Sequence, residues 1–270
     1  MIKDRFSRII GENKNSGNKF FLRNLLKEAV QDDILNFVYN NRFYQKLIFT
    51  GGTCLRKIYG LPRLSEDLDF DFLGKFKIED FAAKARDYFV RELQYKNVIV
   101  KISGSGQTVF LKFPVDSQIL FVRCDFSAET IGVFTTEVNS VSTSEFTFFA
   151  LSYDLPTLFA NKITALLQRQ FFRGKEQKTP FKGRDVFDLS WFLERSAKTQ
   201  FSLQPNWKRV FKALGIKNKE EVVNKLREKL EVIDRQSLYR DLLPFVEQSL
   251  TVENFSRNFL EVIENKLKYL

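Results

Sequence analysis

Apolar residues in the first part of the chain follow two different periods. Phe21, Leu25, Ala29, Ile34 and Val38 recur at mostly helical spacing, which predicts one or two helices over residues 20–39. Residues 47–50 read as a short strand. Gly51-Gly52-Thr53 then predicts a tight turn, with Thr53 capping a helix over 54–59 that Gly60, Pro62 and Ser65 bring to an end. The next stretch, Asp67-Leu68-Asp69-Phe70-Asp71-Phe72, alternates strictly. Leu68, Phe70 and Phe72 therefore share one face of a strand, and three aspartates share the other. A helix is predicted over 78–93 and strands over 98–102, 108–113 and 119–126, the first two joined by Ser103-Gly104-Ser105-Gly106. Strand signals continue weakly to about residue 151.

After Asp154 the period becomes helical. Pro156 suits a first turn, and Leu155, Leu158, Phe159, Ile163 and Leu166 form the apolar stripe. Further helices are predicted over 183–193, 207–214, 218–233, 238–248 and 252–269. With no repeat and no low-complexity linker, the change of period alone divides the chain into an α+β module, 1–152, and a helical module, 153–270.

Composition narrows the chemistry. The chain has 270 residues, 44% of them hydrophobic, 30 of them Phe, enough for a sizeable core. There is no apolar run of membrane-spanning length and no signal-peptide core in the first residues, so a cytoplasmic protein without membrane contact is expected. Cys54 and Cys124 lack metal-type spacing. Histidine is absent, which removes the commonest general base and every His-dependent triad. Catalysis must rest on carboxylates, lysine, tyrosine, hydroxyls or hard metals. The net charge of +10 favours polyanionic partners, RNA, DNA or nucleotides.

Three acids on one strand face repel one another and need solvent or a cation to offset their charge. One reading is an exposed edge strand that carries acids against aggregation. The other is a metal site, because alternate strand positions lie about 7 Å apart at Cα and their carboxylates can converge on Mg²⁺. The upstream glycine turn, opening a helix, favours the second by bringing backbone N–H groups near phosphate oxygens. Asp125 shares a strand face with Arg123, Phe121 and Ile119, and is either a further cleft acid or an Arg123-paired carboxylate. Lys162 falls on the apolar stripe of its helix, where a charge needs a partner or must snorkel to solvent. Arg169, Arg173, Lys175, Lys178, Lys182 and Arg184, with only Glu176 acidic among them, form a basic loop interleaved with Phe171, Phe172 and Phe181. Such a loop is either an RNA contact or merely solvated.

Gly51-Gly52-Thr53-Cys54-Leu55-Arg56-Lys57, followed by Arg63-Leu64-Ser65-Glu66-Asp67-Leu68-Asp69-Phe70, resembles the AbiEii/AbiGii toxin family of nucleotidyltransferases, within the polymerase-β-like superfamily. Lys162-Ile163-Thr164-Ala165-Leu166 resembles the family's lysine motif, and Gly183-Arg184-Asp185-Val186-Phe187-Asp188-Leu189 its Arg-Asp-x-x-Asp-Leu segment. The resemblance implies a mixed sheet flanked by helices, followed by a helical module that completes the active site. It assigns metal ligation to Asp67, Asp69 and Asp125, with Mg²⁺ in a two-metal site and Mn²⁺ as a substitute. Nucleotide contacts fall to Gly51, Gly52, Thr53, Lys57, Ser65, Lys162 and Arg184. Lys162 stabilises the triphosphate and Asp185 orients it; otherwise Asp185 is a helix-start acid with Asp188 an exposed companion. The implied reaction moves NMP from an NTP to RNA, by analogy the tRNA 3′ end, with a separately encoded antitoxin as partner. A protein hydroxyl or small molecule as acceptor, or a non-catalytic binding module, remain open from the residues alone.

Overall fold

In the computed structural model, residues 2–13, 18–115, 118–169, 171–173, 177–179, 181–198 and 203–270 are described. They form two units, Met1–Thr130 with Thr136–Tyr153, and Ile131–Thr135 with Asp154–Leu270.

The alternation at Asp67–Phe72 gives strand β2 of the first unit, and β1 is Ile48–Thr50. The others are β3 (Ile99–Ile102), β4 (Thr108–Val115), β5 (Gln118–Ala128), β6 (Thr136–Ser142) and β7 (Thr147–Tyr153). They make one mixed sheet in the order β3-β4-β5-β2-β1-β7-β6. β2 runs antiparallel to β1 and parallel to β5, so it is bonded on both sides, which excludes the edge-strand reading of its acids. Leu68 and Phe70 are buried on the apolar face, where Phe49, Phe70 and Phe126 stack across three strands at centroid spacings of 5.7 and 5.6 Å.

Helices α2 (Lys19–Tyr39) and α4 (Ile78–Asp87) pack on that apolar face, through Tyr39 on Phe148 and Phe81 on Phe126. The helix predicted over 78–93 changes at Tyr88–Glu92 into a π-helical turn. Helix α1 (Ile2–Glu12) is not among the predicted elements, although Ile2, Phe6, Ile9 and Ile10 follow helical spacing; Arg5 ties it to Asp33 of α2 and to Glu145.

α3 begins earlier than the turn reading predicts, at Gly51, and runs to Tyr59. Its N-cap is Thr50, with no side-chain cap bond, so Thr53 is not the cap. The Thr53 hydroxyl instead donates to the backbone carbonyl of Asp67, which ties α3 to β2. Gly60, at φ +74°, closes α3 in the left-handed conformation that glycine adopts without a Cβ penalty.

The second unit holds α5 (Leu155–Gln168), α6 (Gly183–Lys198), α7 (Trp207–Leu214), α8 (Lys219–Glu231), α9 (Arg235–Leu242) and α10 (Ser249–Leu267). Asp154 caps α5 by accepting from the Thr157 N–H at 2.9 Å. Phe159 of α5 and Phe192 of α6 stack face to face at 4.4 Å. Arg209, buried, reaches Asn161 at 2.6 Å and the Val133 carbonyl at 3.1 Å, and so binds the 131–135 segment to the helices. Where a basic loop is predicted between α5 and α6, the backbone forms a small hairpin, β8 (Phe171–Arg173) with β9 (Gln177–Thr179).

Candidate active site

Strand periodicity sets the aspartates on one face of β2, and pairing with β5 decides what stands beside them. Asp67 is opposite Arg123 and Asp69 is opposite Asp125, so three acids and one guanidinium share a patch at the middle of the sheet. Arg123 Nη2 lies 2.7 Å from Asp67 Oδ2, and its Nε lies 2.9 Å from Asp125 Oδ2. Thr108, paired with Asp125 across β4, donates its hydroxyl to Asp125 Oδ1 at 2.6 Å. Burial pulls the Arg123 charge down, but Asp67, Asp125 and Asp69 outweigh it and hold the group above the usual arginine value. Asp125 is thus paired with Arg123 and stands beside Asp69.

The third acid of β2 has a different partner. The hydroxyl of Tyr153 lies 2.7 Å from both Asp71 and Glu129. Burial and those two carboxylates push the phenol far above its ordinary value, so it stays protonated as a donor.

The start of α3 closes against this patch. Gly51 has φ +79°, and a Cβ there would fall 2.0 Å from Asp69 Oδ2; the backbone approaches the carboxylate as only glycine permits. A Cβ on Gly52 would meet the Arg63 guanidinium at 2.8 Å and the Ser65 hydroxyl at 2.9 Å. Arg63 and Ser65 are both buried. Glycine, hydroxyl and guanidinium therefore converge at a helix N-terminus, where N–H groups favour anions. Lys57 lies elsewhere on α3, its ammonium 2.7 Å from Asp32 and 3.6 Å from Glu28 of α2.

The helical unit holds a second group. Lys162 of α5 has its ammonium 2.7 Å from Asp188 and 3.8 Å from Asp185, both on α6. Arg169 Nε is 2.7 Å from Asp185 Oδ2, so this basic residue serves an internal ion pair. Asp188 is fully buried, which corrects its reading as an exposed companion. The guanidinium of Arg184 lies over the Phe245 ring at 4.3 Å. Lys182 is half-buried. Of the other basic candidates, Lys175 lies outside the described residues, and Arg173 and Lys178 are described only as backbone in the hairpin.

Sequence reasoning missed Arg63, Thr108, Tyr153 and Glu129, and gave Asp188 too little weight. For Asp188 a signal existed: Asp185, Asp188, Leu189 and Phe192 follow a helical spacing and are all buried.

Magnesium takes oxygen donors and commonly only one or two protein carboxylates, the rest of its shell being water and phosphate. Asp67 and Asp69 supply that donor set, and the patch already attracts a cation in the form of the Arg123 guanidinium. The residues fit such an ion in their chemistry. Among the described residues, no group of three acidic or sulfur ligands is drawn together to cage a metal unaided.

The family model described as the nucleotidyl transferase AbiEii toxin of a type IV toxin–antitoxin system matches residues 33–259. No curated protein matches the sequence. Among solved structures the chain is similar in fold to MenT4, a nucleotidyltransferase toxin from Mycobacterium tuberculosis. The identity is 14% over 96% of this chain and 98% of that one, with a TM-score of 0.51. JHP933 from Helicobacter pylori is 17% identical over 90% of this chain and 94% of that one, with a TM-score of 0.44. Among the described residues no helix is long and apolar enough to cross a membrane. With a match spanning most of its length, the chain belongs to the AbiEii toxin family of type IV toxin–antitoxin systems and is a nucleotidyltransferase.

Proposed function

We propose that this enzyme transfers a nucleoside monophosphate from an NTP to the 3′ end of an RNA, specifically tRNA, and thereby blocks the acceptor end. What supports the transfer chemistry is the register of β2 and β5, which sets Asp67, Asp69 and Asp125 side by side in the interior of the sheet. In the reaction the acceptor hydroxyl attacks the α-phosphorus, a new phosphodiester forms, and pyrophosphate and a proton leave.

Asp67 and Asp69 would hold Mg²⁺, with Asp125 completing the set; Mn²⁺ has the same donor preference. When bound, the ion supplies neutralisation of phosphate charge and activation of the attacking oxygen. The chain's own groups do the rest. Gly51 and Gly52 present backbone N–H groups to phosphate oxygens, and Ser65 adds a hydroxyl at the same place. Thr53 acts through the Asp67 carbonyl and keeps that aspartate in position. Lys162 is assigned the triphosphate charge and Asp185 its orientation, as in the family motif, with Arg184 a further phosphate contact. Asp188, the nearer partner of Lys162, sets the direction of the ammonium.

An RNA acceptor is supported by the net charge of +10 and the cluster Arg173, Lys175, Lys178 and Lys182. The family supports a separately encoded antitoxin that counters the activity. The experiment offers each of four labelled NTPs with purified tRNA, cell protein or a small-molecule aminoglycoside. The expected result is label in tRNA from one preferred NTP, reduced about a thousandfold in Asp69→Ala and strongly in Lys162→Ala. Label in protein or the aminoglycoside instead would reject the RNA acceptor. Equal labelling by wild type and Asp69→Ala would reject the carboxylate site.

A further inference from the structure

We propose that Arg123 is a built-in competitor for the divalent cation: its guanidinium holds Asp67 and Asp125 in the metal-free enzyme and must release them for the ion to bind. This rests on the reading of Asp67 and Asp69 as metal ligands.

Three carboxylates face the same way from neighbouring strands, Asp67 and Asp69 on β2 and Asp125 on β5. Left bare, they would repel one another across a few ångströms and strain the strand pairing. Arg123 relieves this from within the sheet. Its fork spans two acids at once, Nη2 to Asp67 at 2.7 Å and Nε to Asp125 at 2.9 Å. Arginine suits that task, because the planar guanidinium reaches two carboxylates where an ammonium is a single point charge. The contacts are half-shielded, with Arg123 38% exposed, Asp67 24% and Asp125 28%, so solvent screens them less than a surface pair. Asp125 is further fixed by the Thr108 hydroxyl on its other oxygen.

The consequence is a linkage. A cation that needs Asp67 Oδ2 competes for an oxygen already in a charge-assisted hydrogen bond, so the apparent affinity for the free ion is lowered by the strength of that bond. In return, the unit folds without metal, the repulsion in its acidic patch partly offset by its own side chain.

Mn²⁺ binding to the nucleotide-free protein, followed by electron paramagnetic resonance, tests this in wild type, Arg123→Met, Arg123→Lys and Asp69→Asn, with melting temperature read with and without Mn²⁺. Arg123→Met is expected to bind Mn²⁺ about tenfold more tightly than wild type, with Arg123→Lys between them. Its metal-free melting temperature should fall and be restored by Mn²⁺ to a greater extent than in wild type, a rescue that loss of a purely structural contact would not give. If Arg123→Met binds Mn²⁺ no better than wild type while Asp69→Asn loses binding, Arg123 is not a competitor and the metal site stands. If neither wild type nor any variant binds Mn²⁺, the metal reading fails, and the competition with it.

Discussion

A methyl group on Gly51 has nowhere to go, because Asp69 Oδ2 lies 2.0 Å from the point where it would sit. The residue also holds φ +79°, which costs a non-glycine residue ~1–3 kcal/mol. Gly51→Ala is therefore expected to lower unfolding free energy by that amount in a urea titration and to cut nucleotide transfer about a hundredfold, since Asp69 must move. Thr53→Val keeps the shape of a fully buried side chain but leaves the Asp67 carbonyl without its hydroxyl donor. The expected loss is ~1–3 kcal/mol in the same titration, with a larger fall in kcat than in KM if Asp67 is displaced. Residue chemistry was legible where it is local. Asp67 and Asp69 announce themselves by alternation, and Gly51 by the glycine pair it forms with Gly52 after a short strand. The partners were not, because Arg123 is 56 residues from Asp67 and Tyr153 is 82 from Asp71, distances that only sheet pairing closes.

At the scale of elements, α5 and α6 are joined by a buried ion pair as well as by stacked rings. Asp188 is fully buried and Lys162 12% exposed, so Asp188→Ala leaves an ammonium facing low dielectric without its nearest partner. Breaking such a pair costs ~3–5 kcal/mol. Calorimetry should show the loss, and Asp185→Ala, which removes the more distant carboxylate, is expected to be milder for Lys162. In the first unit, burial pushes the Asp33 carboxyl up to about 7, against the opposing pull of Arg5 from α1. The folded state then keeps its proton where the unfolded chain has lost it. The contribution of Asp33 to stability is full below about pH 4 and is lost as the pH rises to about 7. Asp33→Asn, uncharged throughout, should flatten the fall in melting temperature across that window. An unchanged pH profile in the variant would reject this role. Elements with one strong period, β2 and α5 among them, were readable from sequence. α1 was passed over although Ile2, Phe6, Ile9 and Ile10 follow helical spacing among its charges, and the start of α3 was misplaced because Gly51 and Gly52 read as a turn although they form its first turn of helix.

For the molecule as a whole, charge is the property most readily tested. RNA binding by a chain of net charge +10 should weaken steeply with salt, with a slope of about −0.7 in log affinity per phosphate contacted. Replacing Lys175, Lys178 and Lys182 together by alanine is expected to make that slope shallower by about 2, three contacts at roughly 0.7 each. Filter binding at several salt concentrations reads it directly, and an unchanged slope would move the acceptor away from this segment. Arg169 is left out of that set because its guanidinium serves Asp185. Strand order was beyond the reach of local pattern: alternation gives the faces of β2 but not the neighbours that lie on either side of it. Those neighbours have a consequence for the timescale on which the site can change. With hydrogen bonds to β1 on one edge and β5 on the other, the amides of Asp67–Phe72 should exchange with solvent deuterium among the slowest in the chain, opening only when the sheet itself unfolds. The carboxylates are then carried on backbone that holds still through each turnover, and adjustment to nucleotide and acceptor falls to side chains and to the rim around them.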